Sequence, residues 1–167
     1  MWPLLTFFAK NVIDGNRGFE IRNIEQMSNG TKSQLFEALW FNLELLDAFI
    51  EVNPHLNDEK IKILTSWKKV VSSEFIVERY LKNGTIFIDM KTNKVYQVCG
   101  IISDFDEMLS FTTLPTIVRA NLIPFKDKII TDGLVIPYGI RFGSNFKTIG
   151  KNIYMKANKT NTIIKSL

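Results

Sequence analysis

The chain has 167 residues, 46% apolar, 12% aromatic and 23% charged, an ordinary globular composition that can bury a core without staples and leaves little room for extensive disorder. A net charge of +4 hides a division: residues 1–107 hold 12 Lys/Arg against 15 Asp/Glu, whereas residues 108–167 hold nine against two, which directs an anionic partner to the C-terminal part. One cysteine and one histidine exclude an intramolecular disulfide and a His/Cys zinc centre.

Met1 to Val12 is apolar enough for a short buried helix or strand, and periodicity does not arbitrate at this length. It is too short for a membrane span and has no basic leader, so the expected compartment is the cytoplasm. Asp14 to Gly30 reads mainly as loop, with Phe19, Ile21 and Ile24 available to the core. Thr31 to Val52 is the clearest helix: Leu35, Leu39, Leu43, Leu46 and Ile50 recur at helical spacing, and Glu37, Glu44, Asp47 and Glu51 line another sector as a solvated face. Asn53-Pro54 ends it, His55 serves as a connector, and Asn57-Asp58-Glu59 caps a second helix running to about Val71. The two helices pair as a hairpin that packs on the sheet.

From Glu74 the period changes to that of strands. Phe75 to Leu81, Thr85 to Met90 and Lys94 to Ile102, separated by Asn83-Gly84 and Lys91-Thr92-Asn93, predict an antiparallel meander. Ile86 and Ile88 share one face, Phe87 and Asp89 the other. Cys99 lies in an apolar run where a buried inert thiol is the default. Asp104 to Leu109 predicts a short helix with acids capping its start. The organising stretch is Leu114 to Gly143, with apolar runs at Thr116–Ile123, Lys128–Thr131 and Leu134–Arg141. Pro124 should end the first run or sit at a bulge, Lys126-Asp127-Lys128 supplies a polar turn, and Asp132-Gly133 reads as a tight hairpin. A last helix runs from Asn145 to about Asn158 with Phe146, Ile149, Ile153 and Tyr154 on one face; Thr162 to Leu167 is a short strand or a tail.

The order of Trp67-Lys68, Phe75-Ile76-Val77, Ile86-Phe87-Ile88-Asp89, Tyr96 and above all Leu122-Ile123-Pro124-Phe125-Lys126-Asp127-Lys128-Ile129-Ile130 with Asp132-Gly133-Leu134 resembles a group of uncharacterised bacterial proteins, some of which carry a SEC-C zinc motif at one end. The resemblance covers the last two thirds of the chain. It implies no activity and no catalytic residues, and with a single cysteine this chain lacks the SEC-C element itself.

No Walker or dinucleotide glycine loop, no histidine for a triad and no nucleophile elbow is present. The residues therefore imply no cofactor and no metal. They predict one α+β domain: a mainly helical subregion (1–73), a β-rich subregion (74–143) forming an antiparallel sheet or partly closed small β-barrel, and a C-terminal helix and tail (144–167). The leading functional reading is a non-enzymatic binding module for an anionic macromolecule such as a nucleic acid, with no membrane involved. Its candidate ligand-binding residues are Arg119, Lys126, Lys128, Tyr138 and Arg141, beside Phe125 and Phe142, because cations neutralise phosphates and rings stack on bases. A plainer account of the same residues is that the aromatics fill the core and the cations protect strand edges. Two other readings stay open: a metal-dependent hydrolase or nuclease using Asp89, Asp104, Asp106, Asp127 or Asp132, and a protein-only adaptor.

Overall fold

The computed structural model describes residues 29–100, 105–139 and 144–167. Expectations for Met1 to Val12, for most of Asp14 to Gly30, and for Asp104, Arg141 and Phe142 lie outside the described residues. The chain divides into two compact units, Met1–Lys68 and Lys69–Leu167.

The first unit is helical. The sequence predicts one helix over residues 31–52, but there are two, α1 (Asn29–Phe41) and α2 (Glu44–Glu51). Apolar spacing continues through the break, so it is invisible to periodicity. The cause is local: Asn42 is a poor interior residue, its N–H donates to Leu39 C=O at 3.1 Å, and Leu46 N–H donates to Leu43 C=O at 3.1 Å. These three-residue bonds tighten the chain and redirect it. Asn53 Nδ2 then donates to Phe49 C=O (2.7 Å) at the end of α2, and the connector places His55 in solvent.

Asn57 caps α3 (Asp58–Ser66) as its type predicts, with extended backbone and a side-chain oxygen accepting from Lys60 N–H at 3.0 Å. The helices α2 and α3 pack on each other as a hairpin. The sequence extends α3 to Val71, whereas it gives way to a 3-10 turn at Trp67–Lys69. Trp67 meets Trp40 edge-on at 6.3 Å.

The second unit holds five strands: β1 (Val71–Leu81), β2 (Gly84–Asp89), β3 (Val95–Val98), β4 (Thr116–Phe125) and β5 (Lys128–Pro137). A short α4 (Phe105–Met108) precedes β4 and a long α5 (Ser144–Lys159) follows β5. The fold class is α+β, as expected. The strands pair in the order β1-β2-β3-β5-β4, and the order closes on itself as a ring. Pairing is antiparallel except between β3 and β5, which meet in parallel at Val98 and Ile129, so the sheet is mixed. That seam is narrow. The C-terminal tail fills the rest of the β3 edge, with Ile164 N–H donating to Val95 C=O (2.8 Å) and Ile164 C=O accepting from Gln97 N–H (2.9 Å).

Alternation sorts the side chains into two cores. Phe75, Phe87, Tyr96, Val118 and Leu122 face inward with Phe105 and Leu109 of the α4 segment, and the aromatic rings meet edge-on, Phe75–Phe87 at 5.8 Å and Phe87–Phe105 at 5.2 Å. Ile76, Ile86, Ile88 and Ile117 face outward, where Tyr154 and Ala157 of α5 cover them. The predicted faces of β2 therefore hold.

Three sequence expectations in this unit need correction. Asp132-Gly133 is not a hairpin turn: it lies inside β5, where the register with β4 slips between Ala120 and Leu122. Gly133 takes φ 96°, and the Asp132 carboxylate accepts from Asn121 Nδ2 (2.8 Å) and Leu134 N–H (3.1 Å), tying both sides of a bulge. Pro124 does not end β4. No β1 residue pairs with β4 beyond Leu122, so the missing N–H of Pro124 costs no bond to β1. On α5, Ile149 is 54% exposed, and the helix instead approaches the sheet through Gly150, whose Cβ position would lie 3.6 Å from Glu78 Cγ and 3.8 Å from Ile76 Cγ2.

Candidate functional site

The β4–β5 hairpin carries four of the five residues singled out as ligand-binding; Arg141 lies outside the described residues. Their register separates them. Phe125 pairs with Lys128 around the Lys126-Asp127 turn, whereas Arg119 pairs with Ile136 on β5 and with Glu74 on β1. Six residues of strand from 119 to 125 span about 20 Å, so Lys126 and Lys128 sit at one end of the hairpin and Arg119 at the other. Lys126, at φ 56°, and Lys128 are exposed on either side of Asp127.

Tyr138 joins the Arg119 end. Its N–H donates to Ile117 C=O (3.0 Å) and its hydroxyl donates to Glu74 Oε1 (2.8 Å), and Glu74 is the residue opposite Arg119. A carboxylate therefore occupies the middle of this group, which makes it a cross-strand cluster rather than an open cationic patch. Phe125 is half-buried. The structure brings Arg119 and Tyr138 together and leaves Lys126 and Lys128 apart from them.

The described acids of the enzyme reading serve local needs or face solvent. Asp89 is buried, its Oδ1 accepting from Ser73 Oγ (2.9 Å) and Lys91 N–H (2.9 Å) and its Oδ2 from Thr92 Oγ1 (2.6 Å). Burial pushes this carboxyl up, but the hydrogen bonds from Thr92, Lys91 and Ser73 outweigh it and hold the group below the usual aspartate value. Asp89 pins the loop between β2 and β3 to β1. Asp132 belongs to the β5 bulge, and Asp106 and Asp127 are exposed. Among the described residues, no three His, Cys, Asp or Glu side chains are grouped so as to hold a metal ion, and no helix is long and apolar enough to cross a membrane. Cys99 is half-buried rather than buried.

The surface that residue-type reasoning passed over is α5. Residues 144–167 contain five lysines and no Asp, Glu or Arg. Lys147, Lys151, Lys156 and Lys159 are all exposed, while Gly150, Tyr154 and Ala157 are buried. None of these four lysines makes an ion pair with a described residue. The signal was present as alternating lysines on an amphipathic helix, but the same pattern describes any solvated helix face.

Comparison with known protein families, with curated proteins and with solved structures finds no match.

Proposed function

We propose that this protein is a non-enzymatic binding module whose basic C-terminal half holds an anionic macromolecule. One observation supports this above the others. Of the two acids among residues 108–167, Asp132 is 5% exposed and bonded within the β5 bulge. Asp127 is thus the exposed acid set against the basic residues of this region. The charge division in the sequence becomes a surface excess, and such an excess raises the local concentration of polyanions. The compartment we assign is the cytoplasm, since a lone cysteine gives no disulfide framework.

Thermal unfolding with added polyphosphate, heparin or an oligonucleotide tests the reading. A ligand that binds only the folded state at about 100 times its Kd adds about 2.7 kcal/mol of stability. The expected result is a rise in Tm with at least one polyanion that disappears at high salt. No shift with any polyanion at low salt overturns the proposal. A metal-activated hydrolytic turnover would transfer the assignment to the enzyme reading.

A further inference from the structure

Resting on that reading, we infer that the outward face of α5 is the docking surface and that its occupant is a nucleic-acid backbone, contacted without reading bases. The ridge Lys147, Lys151, Met155, Lys159 follows the four-residue spacing of a helix surface, and Lys156 flanks it. At 1.5 Å per residue the ridge extends about 18 Å, comparable to a stretch of about five phosphates along one strand at about 3.4 Å each.

Structural needs account for only part of this charge. Lys156 and Lys159 lie in the last turn of α5, where cations complement the helix dipole. Lys147 does not: it lies in a first turn that contains no acid, where a cation opposes the helix dipole, and it stands four residues before Lys151, a repulsive like-charge pair. These two cations work against the helix that carries them, and an anion lying along the face would relieve both conflicts.

The chemistry of the face suits a phosphate backbone. It offers lysine ammonium groups, point charges that bind phosphates without demanding a bidentate geometry, along a ridge as long as a short run of phosphates on one strand. A protein partner would need an apolar or aromatic centre to desolvate, and among the α5 residues whose side chains are described, the exposed large apolar ones are Ile149 and Met155. Insertion into a lipid surface would need the apolar face of the helix, but that face is spent on Ile76, Ile86 and Ile117 of the sheet.

The test is fluorescence anisotropy of labelled single-stranded and duplex DNA of several sequences, with unlabelled polyglutamate as competitor. Wild type is compared with a K147Q/K151Q/K156Q/K159Q variant and a K126Q/K128Q variant, each shown by circular dichroism to be folded. Four phosphate contacts predict that affinity falls about 50-fold for the single strand, or about 150-fold for the duplex, between about 50 and about 200 mM salt. The α5 variant should lose most binding, the hairpin variant little, and affinity should vary little with sequence. Binding kept by the α5 variant but lost by the hairpin variant overturns the surface assignment while the anionic-partner reading stands. Polyglutamate competing as well as unlabelled DNA overturns the nucleic-acid assignment alone. No binding to any polyanion at low salt overturns both.

Discussion

Removing the Asp89 carboxylate should destabilise the β unit by an amount set by which of its oxygens is engaged. Asp89 is 4% exposed and accepts three hydrogen bonds, two at Oδ1 and one at Oδ2. Three bonds to a charged acceptor at about 2 kcal/mol each would total about 6 kcal/mol. Lys91 and Thr92 are exposed, so their donors return to water, and alanine also removes the cost of burying the charge. Asp89→Ala should therefore lose about 2 to 4 kcal/mol. Asp89→Asn keeps an oxygen where Ser73 and Lys91 donate, and the Thr92 hydroxyl can reverse to accept from the new amide, so its cost should be about 1 kcal/mol. All three tryptophans lie in the first unit and all four tyrosines in the second. Tryptophan emission would thus follow the wrong unit; urea unfolding should be read by far-ultraviolet circular dichroism and tyrosine signal. The pH profile gives a second readout. Because the folded value of Asp89 is depressed, its contribution is present above the unfolded value of about 3.9 and is lost as pH falls through the folded value. Asp89→Asn should flatten that acid limb. Equal losses for the alanine and asparagine variants, or an unchanged acid limb, would refute this account of Asp89.

Phe87, fully buried between the Phe75 and Phe105 rings, should cost about 3 to 5 kcal/mol as alanine, measured by chemical denaturation. Two glycines separate strain from clash. Gly133→Ala, with nothing within 4 Å of the added carbon, should cost about 1 to 2 kcal/mol from its positive φ alone. Gly84→Ala should cost clearly more, since its Cβ would stand 2.7 Å from the Val98 carbonyl oxygen; equal costs in parallel denaturation curves would contradict the close approach of β2 and β3. Lys68→Ala should change stability by less than about 1 kcal/mol, because its 2.6 Å pair with Asp47 is solvent-exposed.

Much of the β unit was legible because its signals are local. The turns near Asn83-Gly84 and Lys91-Thr92-Asn93 separate strands whose alternation already assigns Ile86 and Ile88 to one face and Phe87 to the other. The Asn57 cap was equally direct. Asp132-Gly133 misled for a physical reason: an aspartate beside a glycine at positive φ serves a tight turn or a bulge alike. Only the cross-strand partner Asn121, 11 residues away, decides between them. The parallel seam between β3 and β5 likewise depends on contacts that no window of sequence contains.

The candidate site was legible in charge and not in place. Composition located the basic excess in the last 60 residues, but choosing Arg119 and Tyr138 gave weight to residue type without knowing that Glu74 would lie between them. On α5 the apolar spacing suggested Ile149 as a core residue. The buried side actually runs through Gly150, Tyr154 and Ala157, with Gly150 set against Ile76 and Glu78. The four lysines are all exposed.

The most direct test of an anionic partner held by this surface is the slope of log affinity against log salt for a polyanion that raises the Tm. With four phosphates neutralised, the expected slope is about −3 to −4, moving toward zero when Lys147, Lys151, Lys156 and Lys159 are replaced by glutamine. A wild-type slope near zero, or one that the four substitutions leave unchanged, would contradict the account.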